Sequence, residues 1–306
     1  MSTIDSSQLF QKLGGELAQG FSSIHTAPER SPGGIPYLIA PGVVMLARPQ
    51  IHMEGLTGFL NGFDPSLRFS HYLDDPTPLP DGAQLCKVAG QVCYMSFGPG
   101  HSFNAQAKRY FDNLKSSGHG SVIEHACFSL LFYGISRSVT HELVRHRAGF
   151  SLSQTSQRYV SGKVLRFVER PEYRTDDTLH EHFLQRIERA ASEYATLTNK
   201  LLEMQQAGVN ILSAEARTDL RKKVQQTARS VLPNETEAPI VVTANARAWR
   251  HFIEMRASSH AETEIRELAT RAFLCLRQCD NVLFDDYSLE LLSDGTFAVT
   301  TEYRKV

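Results

Sequence analysis

With 306 residues, 42% of them apolar and 21% charged, the chain has a globular composition and enough length for one large domain or two small ones. A formal net charge of −1 excludes a global field for nucleic acid or an anionic membrane, so any anion site must be local. The five cysteines (Cys86, Cys93, Cys127, Cys275, Cys279) form no Cys-x-x-Cys pair, and their odd number argues for reduced core thiols over a disulfide framework.

No apolar run reaches the roughly eighteen residues of a membrane span. The opening Met-Ser-Thr-Ile-Asp lacks the basic start and apolar core of a signal peptide, so a cytoplasmic protein is expected. Residues 3–20 predict a short helix interrupted at Gly14-Gly15, with Leu9, Phe10 and Leu13 on one side. Residues 28–82 are rich in Pro and Gly, with short strands expected at Tyr37-Leu-Ile-Ala and Val43-Val-Met-Leu. These first 82 residues read as an N-terminal extension of open role, and residues 83–306 as the body of the protein. From Ala83 the spacing of Leu85, Val88, Ala89 and Val92 predicts a helix, and a second is expected from Asn104 to Leu114. Ala126 to Tyr133 suits a strand.

The stretch from Gly134 to Tyr159 opens with Ser136 as a helix cap, places Val139 and Leu143 four apart, and has Gly149 as the expected terminator. Arg137, His141 and Arg145 stand four apart and are expected to form one row on that helix. His141, Arg145, His146 and Arg147 gather at one helix end, and with Ser156 and Arg158 in a serine-rich loop beyond, these read as an anion receptor. A cationic cluster that merely suits the helix dipole is the alternative. His141 and His146 are five apart, where the His-Glu-x-x-His zinc motif needs four, so no metal is expected.

Further on, an amphipathic helix is predicted over 178–207, capped by Asp177 and stopped by Gly208. Another is expected from Ser213 to about Leu232, ending at Pro233 and carrying Arg229. In the segment from Asn245 to His260, helical spacing puts Trp249, Phe252, Ile253, Arg256 and His260 on one face. An arginine in such company either has a buried partner or points at a ligand, because leaving it unpaired costs several kcal/mol, roughly. A helix from Ala261 to Cys279, with Ile265, Leu268, Ala269 and Phe273 inward, and a hairpin turning at Ser293-Asp294-Gly295 close the chain.

The run Arg145-His146-Arg147 followed by Ser156-Gln-Arg158-Tyr159 resembles the signature of the flavin-dependent thymidylate synthases. Three further segments resemble that family in the same order: Gly118-His-Gly-Ser-Val-Ile-Glu-His, Ala228-Arg-Ser-Val-Leu-Pro, and Asn245-Ala-Arg through His260. The likeness covers about residues 83–300. It implies an α+β fold with an antiparallel sheet packed by long helices, assembled as a homotetramer with flavin at subunit contacts. It also implies methylation of uracil C5 in dUMP, with FAD, NADPH as reductant and 5,10-methylenetetrahydrofolate as carbon donor.

Position by position, the resemblance gives FAD contacts at Ser121, Glu124, Arg145, His146, Arg147, Gln154, Asn245, Arg247, His251 and His260. It gives nucleotide contacts at Glu142, Arg145, Gln154, Ser156, Arg158, Arg229 and Arg256, with Arg256 as the arginine that activates the pyrimidine. A planar guanidinium that stays charged suits that task, since a cation beside the N3–C4 edge stabilises charge built up on the ring. Arg145, Arg158 and Arg229 suit phosphate clamping. Ser156 has no evident base to activate it, so substrate binding is expected of it rather than nucleophilic attack. One departure stands out: eight residues lie between Arg147 and Ser156 where the common family pattern has seven. One residue can shift a loop's donors by up to about 3.5 Å, which bears on the ribose 2′ position. Members serving nucleoside-antibiotic (polyoxin-type) pathways accept UMP as well as dUMP, and UMP is the second substrate to test. The contrasting expectation is a non-catalytic nucleic-acid-binding module built on the Arg145–Arg147 cluster.

Overall fold

The computed structural model describes residues 5–159, 162–207 and 217–304. Helix α1 (Ser6–Lys12) is capped by the Asp5 carboxylate, which accepts from Ser7 N at 2.9 Å. The helix expected to resume after Gly15 is instead a hairpin, β1 (Gly15–Ala18) and β2 (Phe21–Ile24). Its two-residue turn explains the difference: Gln19 and Gly20 both have positive φ, 52° and 79°, the geometry that matches the twist of paired strands. Strands β3 (Glu29–Arg30), β4 (Pro36–Leu38) and β5 (Gly42–Ala47) follow, the last two where strands were expected.

Helices α2 (Thr57–Asn61), α3 (Asp81–Tyr94) and α4 (Ala107–Ser116) precede strand β6 (Cys127–Tyr133). In α3 the inward face carries Ala83, Cys86, Lys87 and Val88, while Val92 is exposed. After α5 (Arg137–Leu143) come β7 (Phe150–Gln154) and β8 (Phe167–Val168). The long helix α6 (Asp177–Gln206) is capped by Asp176, one residue before the expected Asp177, with Thr178 N and Leu179 N donating to its carboxylate. Gly208 and Ser213, the expected stop and the next start, lie outside the described residues. Helix α7 (Arg217–Ala228), strand β9 (Ile240–Asn245), helices α8 (Ala246–Arg256) and α9 (Thr263–Cys279), and the hairpin β10 (Tyr287–Leu291) with β11 (Phe297–Thr301) complete the chain.

The main sheet has six strands in the order β1-β2-β5-β6-β9-β7, and every pairing is antiparallel. In β6 and β9 alternate side chains are buried: Phe128, Leu130 and Phe132 from one, Ile240, Val242 and Ala244 from the other. This period-2 pattern gives the sheet one apolar face, and α8 and α9 cover it with Trp249, Phe252, Ile253, Leu268, Ala269 and Phe273. An antiparallel sheet packed with helices is the expected α+β class. A smaller sheet, β3-β4-β8, packs Tyr37 and Phe167 against Phe183 and Ile187 of α6.

The division drawn at residue 82 is one of composition. Strands from both sides of it share the main sheet, and Ser22 Oγ donates to the Cys275 carbonyl at 2.7 Å. Among the described residues no helix is long and apolar enough to cross a membrane.

Candidate functional site

Helix α5 begins where Ser136 Oγ accepts from Val139 N at 3.3 Å. The same hydroxyl and the Ser136 amide donate to the buried Glu264 carboxylate, at 2.8 and 2.6 Å, which ties the helix start to α9. The helix ends at Leu143, earlier than the expected stop. Gly149 serves a different purpose: at φ +76° it turns the chain into β7, and a Cβ there would sit 2.9 Å from Ala248 Cβ. Arg145, His146 and Arg147 therefore lie in the connection between α5 and β7. The expected row of Arg137, His141 and Arg145 on one helix is not formed, because Arg145 is beyond its end.

That connection places His146 in a half-buried notch against α8. Its ring lies 5.7 Å from Phe150, 5.4 Å from Phe252 and 5.9 Å from His251. Arg256 Nε donates to His146 Nε2 at 3.0 Å, and Arg256 Nη1 donates to Glu142 Oε2 at 2.7 Å. Burial, the neighbouring Arg256 charge and His251 together push the His146 imidazole down to about 4. A neutral ring with Nε2 free to accept is the state that fits the bond from Arg256, which puts the proton on Nδ1. Of the two readings open for Arg256, the structure supplies a partner, Glu142, and leaves that partner 36% exposed. Trp249 and Phe252, on the same helix, are fully buried in the core.

A second group gathers at the other end of α5. Gln154, the last residue of β7, donates to Thr140 Oγ1 at 3.0 Å. Beyond it, Ser156 Oγ accepts from Arg158 N at 3.4 Å, and the Arg158 guanidinium lies 5.6 Å from the Tyr159 ring centre. Arg229 follows the end of α7. Neither Arg158 nor Arg229 is ion-paired among the described residues. Arg137, at the start of α5, lies close enough to Arg229 for the two charges to repel. A cleft of about 650 Å³ opens beside Thr155 and Gln157, walled in part by Pro28, Arg30 and Pro36 of the extension.

The third group sits where β6 begins. Ser121 and Glu124 are exposed in the helical turn Gly120–His125, and Arg247 Nη1 donates to Glu124 Oε1 at 2.7 Å. Asn245 caps α8, accepting from Ala248 N at 2.9 Å. His251 is exposed beside His146. His260 does not join the face expected of it, because α8 ends at Arg256 and the chain turns away; it is exposed, with its amide on Ser258 Oγ. The structure thus brings Glu142, His146, His251 and Arg256 into one notch. No hydrogen bond or ion pair among the described residues joins that notch to Arg158 or Arg229.

Comparison with known proteins locates this arrangement. The sequence profile described as "Thymidylate synthase complementing protein" matches residues 75–280. The chain is 42% identical over 228 residues to a flavin-dependent thymidylate synthase of Mycobacterium leprae, covering 74% of this chain and 87% of the relative. It is 40% identical over 224 residues to the protein of that name from Corynebacterium diphtheriae, covering 73% and 86%. A third relative of that name, from Mycobacterium sp. (strain KMS), is 44% identical over 229 residues, covering 74% and 87%.

Proposed function

The chain belongs to the thymidylate synthase complementing protein family, with flavin-dependent thymidylate synthases as its relatives, and from that premise we propose that it methylates C5 of the uracil ring of dUMP. It is a flavin-dependent enzyme of the methyltransferase type. In the fuller reading the flavin is FAD, NADPH reduces it, 5,10-methylenetetrahydrofolate donates the carbon, and UMP is a second acceptor. Residues 83–306 carry the chemistry, in a homotetramer, and residues 1–82 extend the sheet and wall the cleft beside the nucleotide loop.

The observation that carries this reading is the Glu142–Arg256–His146 notch. The Arg256 side chain ends in a planar guanidinium. With Nε on His146 and Nη1 on Glu142 its plane is fixed, while Nη2 has only the Glu142 carbonyl, at 3.4 Å. Nη2 is the donor left to meet the N3–C4 edge of a pyrimidine. A cation fixed there stabilises the negative charge that builds on the ring as C5 becomes nucleophilic. Glu142 and His146 hold the arginine ready, so no reorganisation is needed as the charge develops. Thr140 orients Gln154 toward the same helix, and Ser156 and Arg158 supply donors for the nucleotide.

The residues expected to hold the flavin fit a dianionic pyrophosphate. Arg145 and Arg147 are exposed and form no ion pair among the described residues, and Arg247 pairs only with the exposed Glu124. A reduced flavin held there would supply hydride to the carbon unit being transferred.

Purified protein is expected to be yellow and to methylate dUMP when given NADPH and methylenetetrahydrofolate. Colourless protein that cannot be loaded with FAD, or loaded protein that forms no product, overturns the proposal. UMP run in parallel settles the second acceptor: product from dUMP alone removes it.

A further inference from the structure

Arg137 is the first residue of α5 and forms no ion pair among the described residues. Its backbone N–H is satisfied by the Thr236 carbonyl at 3.0 Å, yet its side-chain Nη1 is buried without a hydrogen-bond partner. Burial disfavours its charge, and the Arg229 guanidinium pushes the same way. Arginine does not escape such a place by losing a proton, so the cost persists until an anion arrives. Arg158 repeats the pattern, with its Nε buried and unpartnered.

We propose that Arg137 is a third arginine of the nucleotide's phosphate site, closing on a phosphate monoester together with Arg229 and Arg158. The inference rests on the function proposed above and adds to it a residue that the sequence signature does not include.

Two phosphate sources are conceivable, the nucleotide's monoester and the flavin's pyrophosphate, and the sheet separates them. Glu124 and Arg247 flank the end of the β6–β9 pair where Cys127 faces Asn245. Arg137 follows the opposite end, where Phe132 faces Ile240. The seven residues of β6 put those ends about 20 Å apart at ~3.3 Å per residue. The path from Arg137 to Glu142 is far shorter, about 7.5 Å along the helix axis. A molecule with its phosphate at the start of α5 therefore presents its base near Glu142 and Arg256.

The test compares flavin-loaded wild type with Arg137→Met and Arg137→Lys in steady-state kinetics, FAD binding and thermal unfolding with inorganic phosphate. KM for dUMP is expected to rise about 10- to 100-fold in Arg137→Met with kcat within about twofold, the pattern of a contact made equally in ground and transition states. FAD affinity should not change, and Arg137→Lys should recover part of the loss. Without ligand the Met variant should melt no lower than wild type, and the rise in Tm that inorganic phosphate gives wild type should vanish. Weakened FAD binding with unchanged KM would move the residue to the flavin and overturn the assignment. So would a lower Tm with parallel losses of both ligands, which marks a structural arginine. If Arg137→Met fails to fold, Arg137→Lys decides: unchanged KM together with an unchanged phosphate response removes the proposal. Wild type that binds no flavin and turns over no dUMP sinks the parent reading instead.

Discussion

Of the three arginines on helix α8, Arg250 and Arg256 stand less than two turns apart and serve opposite ends. Arg250 is 1% exposed, makes a two-pronged bond to Asp286 at 2.7 and 2.8 Å, donates to the Leu283 carbonyl at 2.9 Å and lies 4.8 Å from the Tyr287 ring centre. Lys115 adds a second cation to the same carboxylate at 2.6 Å, and these two partners hold Asp286 far below the usual carboxylate range despite its burial. Arg256 has one carboxylate and one neutral imidazole, and Nη2 lacks a good acceptor. A cation matched by a two-pronged carboxylate in the core belongs to the fold; one held in position with a donor to spare is ready for a ligand. Charge and helix are the same in both, so the difference lies in what faces each side chain.

Breaking the first arginine's partner should have the larger effect. Asp286→Asn leaves Arg250 and Lys115 buried against a neutral group, and unfolding in urea is expected to show a loss of about 3–5 kcal/mol. If stability falls by less than about 1 kcal/mol, the Arg250 cluster is not the structural anchor described here. Arg256→Ala should do the reverse: kcat down about 10²- to 10³-fold, with the unfolding midpoint nearly unmoved. A loss of stability on the scale of Asp286→Asn, with kcat intact, would erase the distinction between the two.

Much of the scaffold was legible because its signals are local. Ser136 announces the start of α5 through its side-chain oxygen, and the turn at Gly295 announces the last hairpin. The site was less legible where structure depends on distant pairing. Phe150-Ser-Leu-Ser-Gln154 has the composition of a loop, yet it is a strand because β9 offers it an open edge, Phe150 against Ala244 and Gln154 against Ile240. That pairing ends α5 early and moves His146 off the helix to where Arg256 can reach it. The signature residues were readable in the sequence; the bond between two of them, His146 and Arg256, was not. The role of the extension was hidden for a similar reason, since β1 and β2 reach the main sheet through β5, which pairs with the distant β6.

A smaller effect is expected at the flavin end. Arg247 pairs with Glu124 in the open, both side chains more than 40% exposed, so the pair contributes little to stability. Arg247→Met should leave the urea midpoint within about 0.5 kcal/mol of wild type while weakening FAD binding by roughly tenfold, read by titration of the apoprotein. Unchanged FAD affinity would remove Arg247 from the cofactor site and leave the exposed pair without a function.

The smallest effect distinguishes the two arginines by pH. His146 is held neutral in the folded chain, down to about 4, against an ordinary value of 6.5. Its folded value is depressed, so above about pH 6.5 it is neutral in both states and contributes no pH dependence. As pH falls from 6.5 toward 4 the unfolded chain takes up a proton that the folded chain refuses, and stability falls by at most about 1.4 kcal/mol per unit, less where solvent screens the ring. His146→Gln keeps an acceptor for Arg256 but has nothing to protonate. Urea midpoints measured at pH 7, 6 and 5 should therefore fall more steeply in wild type than in this variant. The Arg250 cluster cannot produce that difference, because Asp286 stays ionised throughout the window with Arg250 and Lys115 beside it. Parallel slopes in the two proteins would mean that His146 is protonated near its ordinary value. Below that value it could not accept from Arg256, and the guanidinium would be free to swing instead of waiting in place.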